Sequence, residues 1–123
     1  MEGQNEKALG LVLPEGILDF FTITHVDQLK DALHFHFEEK NIIPQEYTGE
    51  PLESKGFYEE IKVQDFPIRG KAVYLMIKRR RWLNLKTGNI VFRDWTLVAK
   101  GTRMTTEFAS FLKAISGYES RKL

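Results

Sequence analysis

The sequence predicts a single α+β domain, with a small antiparallel sheet of about five strands in two hairpins, a short N-terminal helix and a packed C-terminal helix. Three observations predict this class. The length of 123 residues suits one domain, apolar residues alternate with period two in two stretches, and near the C-terminus they recur at helical spacing. We expect a disordered tail at 1–8, the domain at 9–118 and a basic tail at 119–123.

The first hairpin follows a short helix. Residues 14–21 predict that helix, with Pro14 tolerated in its first turn. Apolar and polar residues then alternate over 21–26 and again over 33–38, on either side of a polar turn at 27–31. Period two around a short turn predicts a β-hairpin with one buried face.

The middle of the chain predicts a loop and a third strand. Residues 41–56 contain two prolines and two glycines, which indicates a long loop. A third strand follows, on which Phe57, Ile61 and Val63 share a face. Residues 65–70 form a turn-rich joint, which is not a domain boundary because the 53 residues beyond it would make a poor core alone.

A second hairpin and a helix complete the prediction. Residues 72–82 give the strongest strand pattern, residues 86–89 a turn in which Gly88 can take a positive φ, and residues 90–95 the partner strand. Thr105 is a plausible N-cap of a helix that ends at Ser116. Its apolar stripe consists of Phe108, Phe111, Leu112 and Ile115.

The charge of the chain is divided between its two parts. Residues 1–70 carry 6 Lys/Arg against 14 Asp/Glu, a balance of −8, whereas residues 71–123 carry 12 against 3, a balance of +9. A basic segment suits a polyanion, because Lys and Arg neutralise phosphates and release counterions. Charge alone fits equally well a solvated surface with salt bridges between the two parts.

The basic residues are densest at Lys78-Arg79-Arg80-Arg81-Trp82. Three successive arginines on a strand place cations on both of its faces, and unpaired buried charge is costly. We therefore expect the hairpin to project as a basic finger that fits a nucleic-acid groove. Trp82 either stacks on a base or lies in the core. The expected DNA contacts are Lys78, Arg79, Arg80, Arg81, Trp82, Lys86, Arg93, Lys100 and Arg103.

The sequence gives little evidence for a metal site or a catalytic site. His34 and His36 share one face of a strand, but regular alternation points His25 the other way, so no metal site and no cofactor is expected. There is no cysteine and no Gly-x-Ser-x-Gly motif, and adjacent carboxylates such as Glu59 and Glu60 point to opposite faces of a strand. We expect no enzyme activity, no membrane span and a cytoplasmic location.

Several segments of the chain resemble a known family. The motifs are Gly56-Phe57-Tyr58, Asp65-Phe66-Pro67-Ile68-Arg69-Gly70-Lys71, Tyr74-Leu75, Arg79-Arg80-Arg81-Trp82 and Arg93-Asp94-Trp95. Together they resemble the N-terminal region of bacterial insertion-sequence transposases. The relevant subgroup places a small zinc finger before a helix-turn-helix, with a DDE catalytic domain downstream. The resemblance extends over about 12–116.

Two departures from that family shape what the resemblance implies. Where zinc-bearing relatives have Cys-x-x-Cys-Gly, this chain has Asn84, Thr87 and Gly88, and an earlier cysteine pair is missing from the loop around 44–49. A hairpin ladder can replace a structural zinc if the core supports it. The chain also has one C-terminal helix, whereas a helix-turn-helix needs a second, recognition helix.

The resemblance implies the DNA-binding N-terminal part of a split or truncated transposase, which recognises mobile-element ends and leaves catalysis to a separate catalytic subunit. The expected partners are DNA and that subunit, and a homodimer is left open. The alternative is a protein-interaction module in which the acidic part of one chain pairs with the basic part of another.

Overall fold

The computed structural model describes residues 10–14, 16–101 and 111–115, except for the side chains of 99–101. It confirms the mixed α+β class but has seven strands in two sheets, where five strands in one sheet were expected. The strands are β1 (Phe21–Gln28), β2 (Ala32–Glu39), β3 (Leu52–Phe57), β4 (Ile61–Ile68), β5 (Lys71–Lys78), β6 (Arg80–Asn84) and β7 (Ile90–Val91). The helices are short: α1 (Ile17–Phe20), a 3₁₀ turn (Gln45–Tyr47), α2 (Trp95–Gly101) and the helical residues 111–115.

The strands form a four-stranded sheet in the order β1-β2-β5-β4 and a three-stranded sheet in the order β3-β6-β7. Strands β2 and β5 are parallel, so the expectation of a wholly antiparallel sheet is wrong. Parallel neighbours need a long crossover connection. Residues 40–70 make that connection, and they include two strands, β3 and β4, where the sequence predicts a loop and a single third strand.

The first hairpin is confirmed, with an irregularity that matters for its surface. Strand β1 pairs antiparallel with β2, and the register shifts between Ile23 and His25, which leaves Thr24 as a β-bulge. One extra residue reverses the faces of the residues that follow it. His25 therefore pairs with His36 on the same face of the sheet, and the expectation that it points the opposite way is wrong.

The predicted strand 72–82 is in fact two strands in different sheets. The chain leaves the four-stranded sheet after Lys78 and joins the three-stranded sheet at Arg80, with Arg79 between. The partner strand is also shorter than expected, because only Ile90–Val91 pair with β6 and Trp95 begins α2. The turn between them is as predicted, with Gly88 at φ 78°.

The core lies on one face of the four-stranded sheet. Phe35, Phe37, Leu75 and Ile77 of the central strands are buried against α1, Trp95 of α2 and residues 111–115. Within those last residues Phe111, Leu112 and Ile115 are buried, which confirms that part of the predicted stripe. The N-cap and Phe108 of the predicted helix lie outside the described residues, as do both predicted tails. Within the part of the chain that the structure describes, no helix is both long and apolar enough to cross a membrane.

Candidate nucleic-acid interface

The basic strand does not project from the molecule. Arg79 is 2% exposed and Arg93 5% exposed, and Trp82 has no exposed surface. The expected basic finger is therefore wrong. Burying the charges of Arg79 and Arg93 still costs free energy, but contacts with other residues inside the fold offset that cost.

One of those partners is Glu39, the last residue of β2, which is 1% exposed. Arg93 donates from Nε to Glu39 Oε2 at 2.8 Å, and its Nη2 donates to the carbonyl oxygen of Ile42 at 2.6 Å. The backbone N–H of Arg80 donates to Glu39 Oε1 at 3.0 Å, and Arg80 Nε donates to the Glu39 carbonyl oxygen at 3.0 Å. Two arginines from the basic part of the sequence thus converge on one carboxylate from the acidic part.

The electrostatic state of Glu39 reflects both burial and these partners. Burial raises the pKa of the Glu39 carboxyl above its ordinary value of 4.5, and the hydrogen bonds from Arg93 and Arg80 oppose that rise. Breaking a buried ion pair by removing one partner leaves an uncompensated charge. Arg93 is therefore a structural residue of this junction and is not a surface contact.

Aromatic rings hold the remaining arginines of the strand. Arg79 and Arg81 lie on the same side of the chain, and their guanidinium carbons are 5.2 Å and 5.4 Å from the centroid of the Tyr58 ring. Arg80 lies 4.7 Å from the Phe57 ring centroid. Separations below about 6 Å are typical of cation–π contacts. The Gly-Phe-Tyr motif and the Arg-Arg-Arg motif of the sequence are thus packed against each other.

Trp82 belongs to the interior of the three-stranded sheet. Its indole N–H donates to Asn41 Oδ1 at 3.0 Å, and its ring is fully buried. A buried Trp with its N–H satisfied is a packing residue. Of the two roles that the sequence left open for Trp82, the structure shows the core role.

The turn that follows is held by hydrogen bonds at the positions where the resembled family has thiols. Asn84, 2% exposed, donates from Nδ2 to Glu50 Oε1 at 2.8 Å and accepts the backbone N–H of Lys86 at 2.9 Å. Its carbonyl oxygen accepts the Gly88 N–H at 2.7 Å. Thr87 Oγ1 accepts the Asn89 N–H at 3.2 Å. These contacts connect the turn to the loop before β3, as a shared metal ion would.

The other predicted contact residues are more accessible. Lys86 is exposed at the β6–β7 turn, and Lys78, Arg80 and Arg81 are half-buried. The side chain of Lys100 and the whole of Arg103 lie outside the described residues.

A second group of cations, not expected from the sequence, lies at the β4–β5 hairpin. Lys62 and Arg69 are exposed, and half-buried Lys71 donates from Nζ to the Leu29 carbonyl oxygen at 3.5 Å. Lys62 Nζ lies 4.2 Å from the centroid of the Tyr74 ring. The alternation of polar and apolar residues along 61–64 was the available signal, but division of the chain by charge at residue 70 placed Lys62 and Arg69 in the acidic segment.

Comparison with protein-family models, curated proteins and solved structures gives no match for this chain. The likeness to transposases therefore rests on the quoted motifs.

Proposed function

We propose that this chain is the DNA-binding N-terminal part of a split or truncated transposase, which binds mobile-element ends and acts with a separate catalytic subunit. The observation that carries the proposal is the charge that remains once buried groups are set aside. Eight Lys/Arg of residues 71–123 have side chains that the structure describes, against one acidic residue, Asp94. Arg79 and Arg93 are buried, and the other six are exposed or half-buried: Lys71, Lys78, Arg80, Arg81, Lys86 and Lys113.

The buried arginines give the proposed interface its scaffold. Arg79, Arg93 and Trp82 fix the path of β6, and Asn84 fixes the turn that carries Lys86. A cation on a held turn loses less conformational freedom on binding than one on a loose tail. We assign the phosphate contacts to Lys78, Arg81 and Lys86, together with Lys100 and Arg103.

Salt dependence of DNA binding tests this assignment. Lys78→Gln/Lys86→Gln removes two cations from the proposed interface, and Lys30→Gln/Lys55→Gln removes two from exposed positions in the acidic segment. Fluorescence anisotropy of a labelled duplex, measured over a range of salt, gives the slope of log affinity against log salt. The interface pair should flatten that slope by up to about 1.8, or roughly 0.9 for each lost phosphate contact, and the control pair should leave it nearly unchanged.

Two outcomes contradict the proposal in different ways. Equal slopes for the two pairs would remove Lys78 and Lys86 from the interface. Absence of any DNA retention at low salt would remove DNA binding itself. If the mass of the protein then rose with concentration in low salt only, pairing between acidic and basic surfaces of two chains would replace it.

The chain alone should bind DNA weakly and without chemistry. We expect affinities near the non-specific range of roughly 10⁻⁴–10⁻⁶ M and no strand cleavage with magnesium or manganese. The catalytic subunit should add sequence preference and strand cleavage, because a DDE domain holds the metal ions of that reaction. Metal-dependent nicking of element ends by this chain alone would contradict the division of labour.

A further inference from the structure

The open face of the four-stranded sheet carries a cluster that the proposed function does not use. His25 and Asp27 of β1 and His36 of β2 each offer a ligand atom, and these atoms lie within 4.8 Å of one another. The two imidazole rings are stacked, with centroids 3.9 Å apart and planes 12° apart. The cluster exists because the Thr24 bulge turns His25 to the face of His36.

Both histidines direct the same nitrogen to the same carboxylate oxygen. His36 Nε2 lies 2.9 Å from Asp27 Oδ2, and His25 Nε2 lies 3.8 Å from that oxygen. Ligand atoms about 2.0–2.2 Å from a tetrahedral zinc ion are separated by roughly 3.3 Å, which lies between these two distances. The site is therefore close to the size that one ion needs.

The other nitrogen of each ring faces an oxygen. His36 Nδ1 lies 3.5 Å from Glu60 Oε2, and His25 Nδ1 lies 3.3 Å from Thr24 Oγ1. Metal-binding histidines usually donate their second ring N–H to such a partner, which fixes the tautomer and leaves the lone pair of the first nitrogen for the ion. His36 Nε2 and Asp27 Oδ2 are at hydrogen-bond distance in the metal-free chain, so an ion replaces the proton between them. With both Nδ1 atoms protonated, two Nε2 lone pairs and the carboxylate are then available to that ion.

We propose that His25, Asp27 and His36 bind one divalent transition-metal ion of the zinc type, with Glu60 and Thr24 orienting the two imidazoles. Two imidazoles and one carboxylate suit zinc, nickel or cobalt. His36 is fixed between Asp27 and Glu60, whereas the side chain of His25 is 57% exposed and can tilt its lone pair onto the ion. Water completes the coordination from the solvent side. The proposal does not depend on DNA binding.

Cobalt is a suitable probe because its visible absorption reports coordination. Tag-free protein that has been stripped with chelator is titrated with Co²⁺, and Zn²⁺ is then added to displace it. We expect one ion per chain. His25→Ala, Asp27→Asn and His36→Ala should each weaken binding by more than about tenfold, and Glu60→Ala should weaken it by about tenfold because the oxygen that orients His36 is lost.

His34→Ala is the matched control. His34 lies on the same strand and the same face, two residues from His36, and it does not belong to the cluster. This variant should keep the affinity of the unmodified chain. Circular dichroism of each metal-free variant checks that the fold is intact, and His25→Ala changes the most exposed side chain of the cluster, so its loss of binding cannot be attributed to disturbed packing.

Two results would overturn the proposal. One is an unmodified chain that binds Co²⁺ no better than the triple variant of His25, Asp27 and His36. The other is a loss of affinity in His34→Ala as large as that in His25→Ala, which would indicate non-specific binding to surface histidines. Either result leaves the DNA-binding proposal untouched, because its test uses neither histidine nor metal.

Discussion

The two sheets of this protein are stabilised by different physical means. The four-stranded sheet rests on an apolar core, and among the residues that the structure describes no member of that core belongs to β3, β6 or β7. The three-stranded sheet is held by the Glu39–Arg93 pair, arginines packed against Tyr58 and Phe57, and the hydrogen bonds of Trp82 and Asn84. One chain thus combines a sheet on an apolar core with a sheet held by buried arginines, Trp82 and their polar partners.

The difference teaches how to interpret a run of basic residues. Arg79 to Arg81 lie where the chain passes from one sheet to the other, and the contacts of their side chains stabilise this crossing. The Glu39 carboxylate stands at the end of β2, next to the same passage, and accepts from Arg80 and Arg93. Arginine suits this use because its planar fork binds a carboxylate and also packs on aromatic rings.

The largest expected effect comes from breaking the polar junction. Arg93→Met leaves the Glu39 carboxylate buried without its ion-pair partner and should lower the free energy of unfolding by about 3–5 kcal/mol. Adding Glu39→Gln should recover part of the loss, because the amide oxygen still accepts the Arg80 N–H and no charge remains. Urea denaturation of the two single variants and the double variant measures this coupling.

The matched control lies in the apolar sheet. Ile77→Val removes one methylene group from a fully buried residue of β5 and should cost about 0.5–1.5 kcal/mol. Its effect should add to that of Glu39→Gln, since the mechanism is local packing. Strict additivity of Arg93→Met with Glu39→Gln would mean that the two side chains do not stabilise the junction jointly, and the contrast between the sheets would fail.

The sequence predicts the apolar sheet far better than the polar one. Alternation identified the first hairpin, and helical spacing identified Phe111, Leu112 and Ile115 as buried. Both signals come from the hydrophobic pattern, which is local and periodic. The parallel pairing of β2 with β5 connects residues about 40 positions apart, and no local pattern encodes it.

The candidate sites were predicted less well, for two physical reasons. Burial of Arg79 and Arg93 depends on partners distant in sequence. The general rule that charged side chains remain at the protein surface therefore predicted, wrongly, that both arginines are exposed. The cluster of His25 with His36 depends on a single bulge at Thr24, and a one-residue shift reverses every later side chain. The exposed turn with Lys86 was predicted because turn residues act locally.

A smaller effect should appear in the pH dependence of stability. The folded pKa of Glu39 is raised by burial above the 4.5 of an ordinary glutamate, so the folded state binds this proton more tightly than the unfolded state. Stability from this group is therefore highest at low pH and declines as pH rises from about 4.5 through the raised pKa.

Glu39→Gln removes that titration and leaves the other carboxylates in place. The difference in unfolding free energy, native minus variant, should fall with rising pH across this window and then level off. Urea denaturation at a series of pH values measures the difference. A difference that grows with pH would mean that Arg93 and Arg80 lower the pKa more than burial raises it, and the junction would then behave as a strong ion pair.

The smallest expected effect is that of removing metal on folding. The buried core of the described residues is made of apolar side chains, and Asn84 and Thr87 already hold the turn that thiols hold in the resembled zinc finger. Thermal melts of tag-free protein that has not been loaded with metal should therefore superimpose with and without a strong chelator.

Added Zn²⁺ should raise the midpoint only by mass action at the His25–Asp27–His36 cluster, in proportion to its occupancy. The His36→Ala variant should lose that rise. A chelator that abolishes the cooperative transition in the His36→Ala variant as well would show that an ion outside the His25–Asp27–His36 cluster is needed for folding, and the polar contacts described for the three-stranded sheet would then be insufficient to hold it.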